Sequence, residues 1–536
     1  MNQTPYSYDI VPYPSIPRPH THPAHIAARA VLFGMKPAPV QQCRVLEIGC
    51  ADGSNLIPMA CQLPESEFLG LDLSSRQIAA GQSKVDALGL KNITLRTKDL
   101  MDIGPEYGQF DYIIAHGVYS WVAQAVQQKL LDICRQHLKP QGVAYISFNV
   151  YPGWYMHAQA RHLMLYFTRG IDNPFDRVKH GRAVLDFFTQ TVPTLSSTLP
   201  EALQINHLIL QSIQKLLQDQ PEEYLLHDHF ETHNTPLYLY QFVEQAGLHG
   251  LQYIADAESS ALITQYLPAH ITHRLQEMGI PLDPVTLEQV MDFLYLRAFR
   301  QALLCQQEIQ LERAVSPERL LDLYVAASVR PVSPTQDIFE ADEVVFQGIH
   351  GASLSTRQAI NKAALLCLAD LWPQSISFRD LLEQARTRLS PAAPPLVSTA
   401  GYQDMVQTVG SVLLKGFALG IVELHTQPFP FTLTPGPYPR ASDIVRLDAQ
   451  HGKRVVNQRH EPVILEDEPA YYLIPFLDGQ HSRADLIARM MDLVTRGDLL
   501  SLPPDATLTP QQLRQILADA LEFSLNRLAQ KALLVA

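Results

Sequence analysis

Between Val45 and Asn55 an apolar strand runs into a turn with Gly49, Ala51 and Gly53 at alternate positions, and a helix begins near Leu56. Glycine lacks a Cβ, so Gly49 and Gly53 can take left-handed backbone angles and admit close approach of a ligand to the main chain; Ala51 is the smallest substitute. The spacing is G-x-A-x-G. It is not the G-x-G-x-x-G that holds a dinucleotide pyrophosphate, and no G-x-x-x-x-G-K-[ST] follows it, so the turn is read as taking a ligand other than a phosphate.

Further strands follow in order. Glu67 to Asp72 ends in a carboxylate placed to hydrogen-bond a ribose, Ile93 to Arg96 leads to Asp99, and Phe110 to Ala115 leads to His116-Gly117-Val118-Tyr119-Ser120-Trp121. Helical patterns at 75–88 and 122–138 separate them, and Gly142 to Val150 reads as a fifth strand. This alternation predicts an α/β fold with a parallel sheet whose ligands lie at its carboxyl edge.

These segments resemble the class I S-adenosylmethionine-dependent methyltransferases, whose first motif is E-x-G-x-G-x-G; Glu47, Gly49, Ala51 and Gly53 stand at its positions. The resemblance implies a Rossmann-like sheet with S-adenosyl-L-methionine as cofactor. It implies that the turn passes under the methionyl part, that Asp72 holds the ribose hydroxyls and that Asp99 meets the adenine amino group. Glu47, Gly49, Cys50, Ala51, Gly53, Asn55, Asp72, Leu73, Asp99, Leu100 and His116 form the expected cofactor set. The departure at Ala51 is a single methyl group.

At 536 residues the chain exceeds one core, and about three units are expected. Nothing approaches ~18 uninterrupted apolar residues, and Met1 to Pro19 shows no signal-peptide pattern, so the expectation is a cytoplasmic protein without a membrane span. The six cysteines are scattered, with no C-x-x-C and no zinc-spaced histidines. His20, His22, His25, His227, His229 and His233 complete no H-E-x-x-H, and no metal site is expected. A formal charge of −13 disfavours nucleic acid and favours basic protein substrates.

Tyr6, Tyr8, Tyr13 and the early prolines make residues 1–40 too stiff for a solvated tail; they form a strap over the cofactor site or an arm packed elsewhere. Residues 41–154 are the cofactor-binding core, 155–235 a helical insertion broken near Pro174, Pro193 and Pro200, and 236–265 the last helix and sixth strand of the core. Residues 266–335 read as a helical segment, including Arg297 to Leu304. From 340 to 536 a mostly helical, winged-helix-like module is expected, built from helices 358–371, 378–389 and 402–417, a Pro/Ala linker at 391–395 and a strand at 421–425. Its third helix carries only Lys415 as a basic residue, which favours contact with protein over DNA.

Several stretches are similar to the branch of these enzymes with a methyltransferase regulatory domain, which includes rickettsial protein-lysine methyltransferases: Tyr8-Asp9, Thr21-His22-Pro23, Glu47 to Asn55, His116 to Val122, Asn149 to Trp154, His227 to Phe230 and Arg297 to Leu304. The resemblance implies methylation of protein lysine. Tyr119, Trp121, Tyr151 and Trp154 are expected to line an aromatic channel that guides an alkylammonium by cation–π attraction, with His116 as a proton acceptor. The alternatives are a small-molecule N-, O- or C-methyltransferase and a non-catalytic S-adenosylmethionine-binding regulator. They also include the simpler reading of these aromatics as core.

Overall fold

The computed structural model describes residues 7–191, 200–333, 339, 342–390, 400–499 and 509–536; Tyr6, Pro193 and the 391–395 linker lie outside them. The apolar runs form seven strands of one sheet: β1 (Arg44–Ile48), β2 (Glu67–Asp72), β3 (Ile93–Thr97), β4 (Phe110–Ala115), β5 (Leu138–Asn149), β6 (Leu251–Asp256) and β7 (Phe299–Gln306). Their order is β3-β2-β1-β4-β5-β7-β6. The first five are parallel, and β7 runs antiparallel between β5 and β6, pairing Phe299 with Asn149 and Ala302 with Asp256. β1, β4 and β5 are almost wholly buried, as expected for strands covered on both faces.

The expected helix at 297–304 is not formed, because Phe299–Gln306 is β7. Ala302, Leu303, Leu304 and Cys305 are all buried, a continuous apolar run that fits a central strand covered on both faces. The segment 266–335 is therefore not all helical. It also supplies strands Tyr324–Ala327 and Val329–Pro331, which pair with Val422–His425 and Val344–Gly348 and so tie it to the C-terminal half.

Arg300 of β7 is 2% exposed and is held by Glu288 (2.6 Å), Asp292 (2.8 Å) and Asp256 (3.3 Å), with Tyr253 Oη at 3.2 Å. The pairing of β7 thus encloses the Arg300 guanidinium among three carboxylates, and Arg297 adds a second cation to Asp292 (3.2 Å) and Asp256 (3.9 Å), a group of buried charges that is tolerable only while complete.

Helices Trp154–Thr168, Pro174–Thr191, Glu201–Leu217 and Glu222–Phe230 form the inserted lobe with its own core around Met164, Leu185, Leu210 and Phe230. The helices expected at 358–371, 378–389 and 402–417 appear as Ala359–Leu371, Phe378–Leu389 and Ala400–Ala418. A further core around Leu473, Leu486, Leu521 and Leu525 gathers the last helices. No described helix is long and apolar enough to cross a membrane, and no described group of three His, Cys, Asp or Glu residues could hold a metal ion.

Arg300→Ala takes the cation from buried Glu288 and leaves Asp256 and Asp292 to Arg297. It is expected to destabilise the protein by on the order of 3–5 kcal/mol, read from the shift of the urea unfolding midpoint.

Candidate active site at the carboxyl edge of the sheet

The turn after β1 places Gly49, Ala51 and Gly53 at φ of 74°, 51° and 72°. A Cβ on Gly49 would come within 2.6 Å of Val118 Cγ2, so the loop after β4 packs directly on this turn. Ala51 sits in the left-handed region at a cost of roughly 1–2 kcal/mol. Its N–H donates to Asp72 Oδ2 (2.8 Å), while Asp72 Oδ1 accepts from Ser74 N (2.8 Å). Asp72 therefore anchors the strained residue as well as standing at the tip of β2. Burial raises its carboxyl, and the backbone N–H groups oppose that rise.

Glu47 is buried at the end of β1. Its Oε1 accepts from Asn55 Nδ2 (2.7 Å), whereas its Oε2 has no hydrogen-bond partner among the described residues. Burial pushes its carboxyl up to about 8, against the opposing Asn55 hydrogen bond. An unpartnered buried carboxyl oxygen beside a glycine cradle and two strand-end aspartates fits an elongated nucleoside ligand with a cationic end.

The Asn55 side chain is fully engaged by protein. Its Oδ1 accepts from Arg18 N (2.9 Å), Thr21 Oγ1 (3.1 Å) and His460 Nε2 (3.0 Å). This amide joins the first strand, the N-terminal strap and the C-terminal half, leaving only its backbone for a ligand. Cys50 likewise turns its thiol into the sheet, where a Cβ on Gly70 would meet Sγ at 2.8 Å. Asp99 is exposed and caps the turn that follows it through Met101 N (2.9 Å); Leu73 is exposed, and Leu100 packs partly on the core.

The strap crosses this edge. Asp9 bonds Ser74 Oγ (2.5 Å), the Val11 carbonyl meets His227 Nε2 (2.8 Å), Tyr8 stacks on His227 with ring centroids 4.0 Å apart, and Arg18 reaches Asn55. These contacts lie just after β2, on the inserted lobe and at the start of the helix after the glycine turn.

The four-membered aromatic channel does not form. Tyr119 is fully buried in the core against Phe148 and Phe242, its hydroxyl donating to Gln245 Oε1 (2.6 Å). Tyr119–Trp121 is a 3₁₀ turn, whose residues are about 120° apart, so neighbouring aromatics face different ways. Trp121 meets Trp154 edge to face at 6.2 Å beneath the lobe, and Trp154 Nε1 donates to Asn234 Oδ1 (2.8 Å). Tyr151 belongs to a separate stack with Tyr155 (4.1 Å) and Tyr238 (5.5 Å).

His116 stays at the edge, with Nδ1 2.9 Å from Tyr145 Oη and its ring against Phe299. Burial, reinforced by the charge of Arg18 and by His20, holds its imidazole down at about 3. Tyr145, Gln301 and Asn149, the last with a buried Nδ2 lacking a partner among the described residues, were absent from the expected set. Each sits in a strand whose apolar character gives no local signal of a polar role.

Comparison with known proteins agrees with this architecture. The family described as "Methyltransferase domain" matches residues 46–144, "Predicted methyltransferase regulatory domain" matches 221–306, and "PKMT, C-terminal winged helix domain" matches 437–533. The winged helix is thus assigned downstream of the 358–425 helices from which it was expected. An uncharacterised Rickettsia prowazekii protein is 30% identical over 98% of this chain and 93% of its own length. A second protein of that organism is 36% identical over 45% of this chain and 93% of its own. The structure of PKMT2 from Rickettsia typhi in complex with AdoHcy has a TM-score of 0.84 and 28% identity, covering 98% of this chain and 100% of that one.

Two outcomes follow from the burial. Tyr119→Phe should leave turnover within about two-fold and lower stability by about 1 kcal/mol, the worth of one hydrogen bond, as measured by kcat and denaturant melts. Glu47 stays protonated in the fold to a higher pH than in the unfolded chain. Its contribution is therefore present below about pH 4.5 and is lost as pH rises to about 8. Glu47→Gln should flatten that decline in the ligand-free protein, seen as a smaller fall in Tm across the window.

Proposed function

The chain belongs to the S-adenosylmethionine-dependent methyltransferases that carry a methyltransferase regulatory domain and a PKMT winged-helix domain, and from that membership we propose that its acceptor is the ε-amino group of lysine in a protein. The observation that carries this reading is the likeness to PKMT2 along the whole chain, including the lobe and C-terminal half, and not the cofactor half alone.

S-adenosylmethionine, when bound, supplies a methyl group activated by its sulfonium. Asp72 and Asp99 are the proposed holders of the ribose and adenine, with the Gly49–Gly53 turn beneath the methionyl part. The Glu47 carboxyl is the proposed partner for its cationic end. Trp121, half-buried and held edge to face by the buried Trp154 at the base of the lobe, is the proposed guide of the alkylammonium stem. From a reference pKa of 10.4, freeing the amine at pH 7 costs about 4.6 kcal/mol, which desolvation near a positive charge offsets in part.

His116 is proposed to face the amine as a hydrogen-bond acceptor. With its basicity held down at about 3, it orients an N–H and leaves the proton to pass to water. The six cysteines, all free, suit a reducing compartment, and the cytoplasm is the proposed location.

Radiolabelled S-adenosylmethionine incubated with the purified protein and a lysate should label the protein fraction, with the methyl group mapped to lysine by mass spectrometry. Label confined to small molecules would replace this reading with that of a metabolite methyltransferase. In the same assay system Asp72→Ala should weaken cofactor binding at least about tenfold by calorimetry, since both the ribose contact and the Ala51 anchor are lost.

A further inference from the structure

A hydrogen-bond chain crosses the sheet at right angles to its strands, with one side chain at each of four adjacent strands. His116 follows β4, Tyr145 is in β5, Gln301 is in β7, and Glu258 lies just beyond β6. The links are His116 Nδ1 to Tyr145 Oη at 2.9 Å, Tyr145 Oη to Gln301 Oε1 at 2.8 Å, and Gln301 Nε2 to Glu258 Oε1 at 3.1 Å. Tyr145 and Gln301 are buried, so water cannot substitute for a link.

Proton counting gives the chain a direction. Burial and the neighbouring Asp256 raise the Glu258 carboxyl, while Arg297, with Nη1 3.6 Å from Oε2, and the Gln301 hydrogen bond oppose that rise; as the carboxylate, Glu258 can only accept. Gln301 must then present its amide N–H to Glu258 and its carbonyl oxygen to Tyr145. The phenol has one proton, and it is used on Gln301. Toward His116 the phenol oxygen can only accept, so Nδ1 must carry the hydrogen. Since the imidazole is neutral, Nε2 is a bare lone pair, with no hydrogen-bond partner among the described residues.

We propose that Tyr145, Gln301 and Glu258 are positioning residues that hold His116 as its Nδ1–H tautomer, with Nε2 the acceptor for an N–H of the incoming amine. The proposal rests on the reading of an amine acceptor given above. The opposite tautomer would turn an N–H donor toward an N–H donor and misplace the nucleophile. Gln301 and Glu258 lie within the stretch matched by the regulatory-domain family and Tyr145 in β5, so the group facing the acceptor is set in part from the regulatory stretch.

Histidine ¹⁵N spectra of the full-length protein test the tautomer without any acceptor, with His116→Asn identifying the resonances of His116. The expected spectrum has an unprotonated Nε2 and a protonated Nδ1. Tyr145→Phe, which keeps the ring and removes the oxygen, should shift His116 toward protonated Nε2. In turnover, Tyr145→Phe and Gln301→Leu should each lower kcat at least about tenfold with cofactor Kd within about two-fold. The double variant should be no worse than Tyr145→Phe alone, because the residues act as one unit. A protonated Nε2 in the parent protein would overturn the assignment, as would normal turnover of Tyr145→Phe or losses that multiply in the double variant. If the parent protein methylates no amine, the acceptor reading fails, while the spectrum still decides the tautomer.

Discussion

The antiparallel insertion of β7 between β5 and β6 is the constraint on which the rest of this molecule depends. It places Arg300 among Asp256, Glu288 and Asp292, in a buried cluster of charges that Arg297 also joins. It also carries Phe299 and Gln301 to the carboxyl edge beside β5, because an antiparallel strand begins where its parallel neighbours end. The methyltransferase sheet is complete only with residues from the regulatory stretch, so the two matched families divide one structural unit.

A second junction is the side chain of Asn55. One amide binds Glu47 on the first strand, Arg18 and Thr21 on the strap, and His460 in the C-terminal half. His460 has φ of 62°, outside the region most side chains adopt, which the surrounding contacts must hold. Arg29 adds bonds to the carbonyls of Ala257 and Leu424, and Lys84 pairs with Asp448 at 2.6 Å. The C-terminal half is thereby fastened to the glycine turn after β1.

Histidines crowd this junction. His25 and His425 meet edge to face at 4.5 Å, and His22 lies 5.5 Å from His460. Burial holds all four imidazoles below their ordinary range, so they pack as neutral rings. This packing explains why polar residues occupy the interior: each ring offers one apolar face and one nitrogen to the network.

The sequence by itself determined the turn, the first six strands, the helical lobe and Asp72 and Asp99 at the strand ends, because each is written in a local pattern: glycine spacing, apolar runs and helical periodicity. It did not determine β7, whose buried run at 302–305 reads equally as helix until β5 and β6 offer their edges. Nor did it determine the fate of Tyr119. A 3₁₀ turn separates the direction of that ring from that of Trp121, and only packing against Phe242 selects the core. The partners of His116 were likewise fixed by tertiary structure. Tyr145 lies 29 positions from His116, and Gln301 lies 156 positions from Tyr145. Hydrogen bonds of that range leave no trace in local spacing and exist only once neighbouring strands are in register.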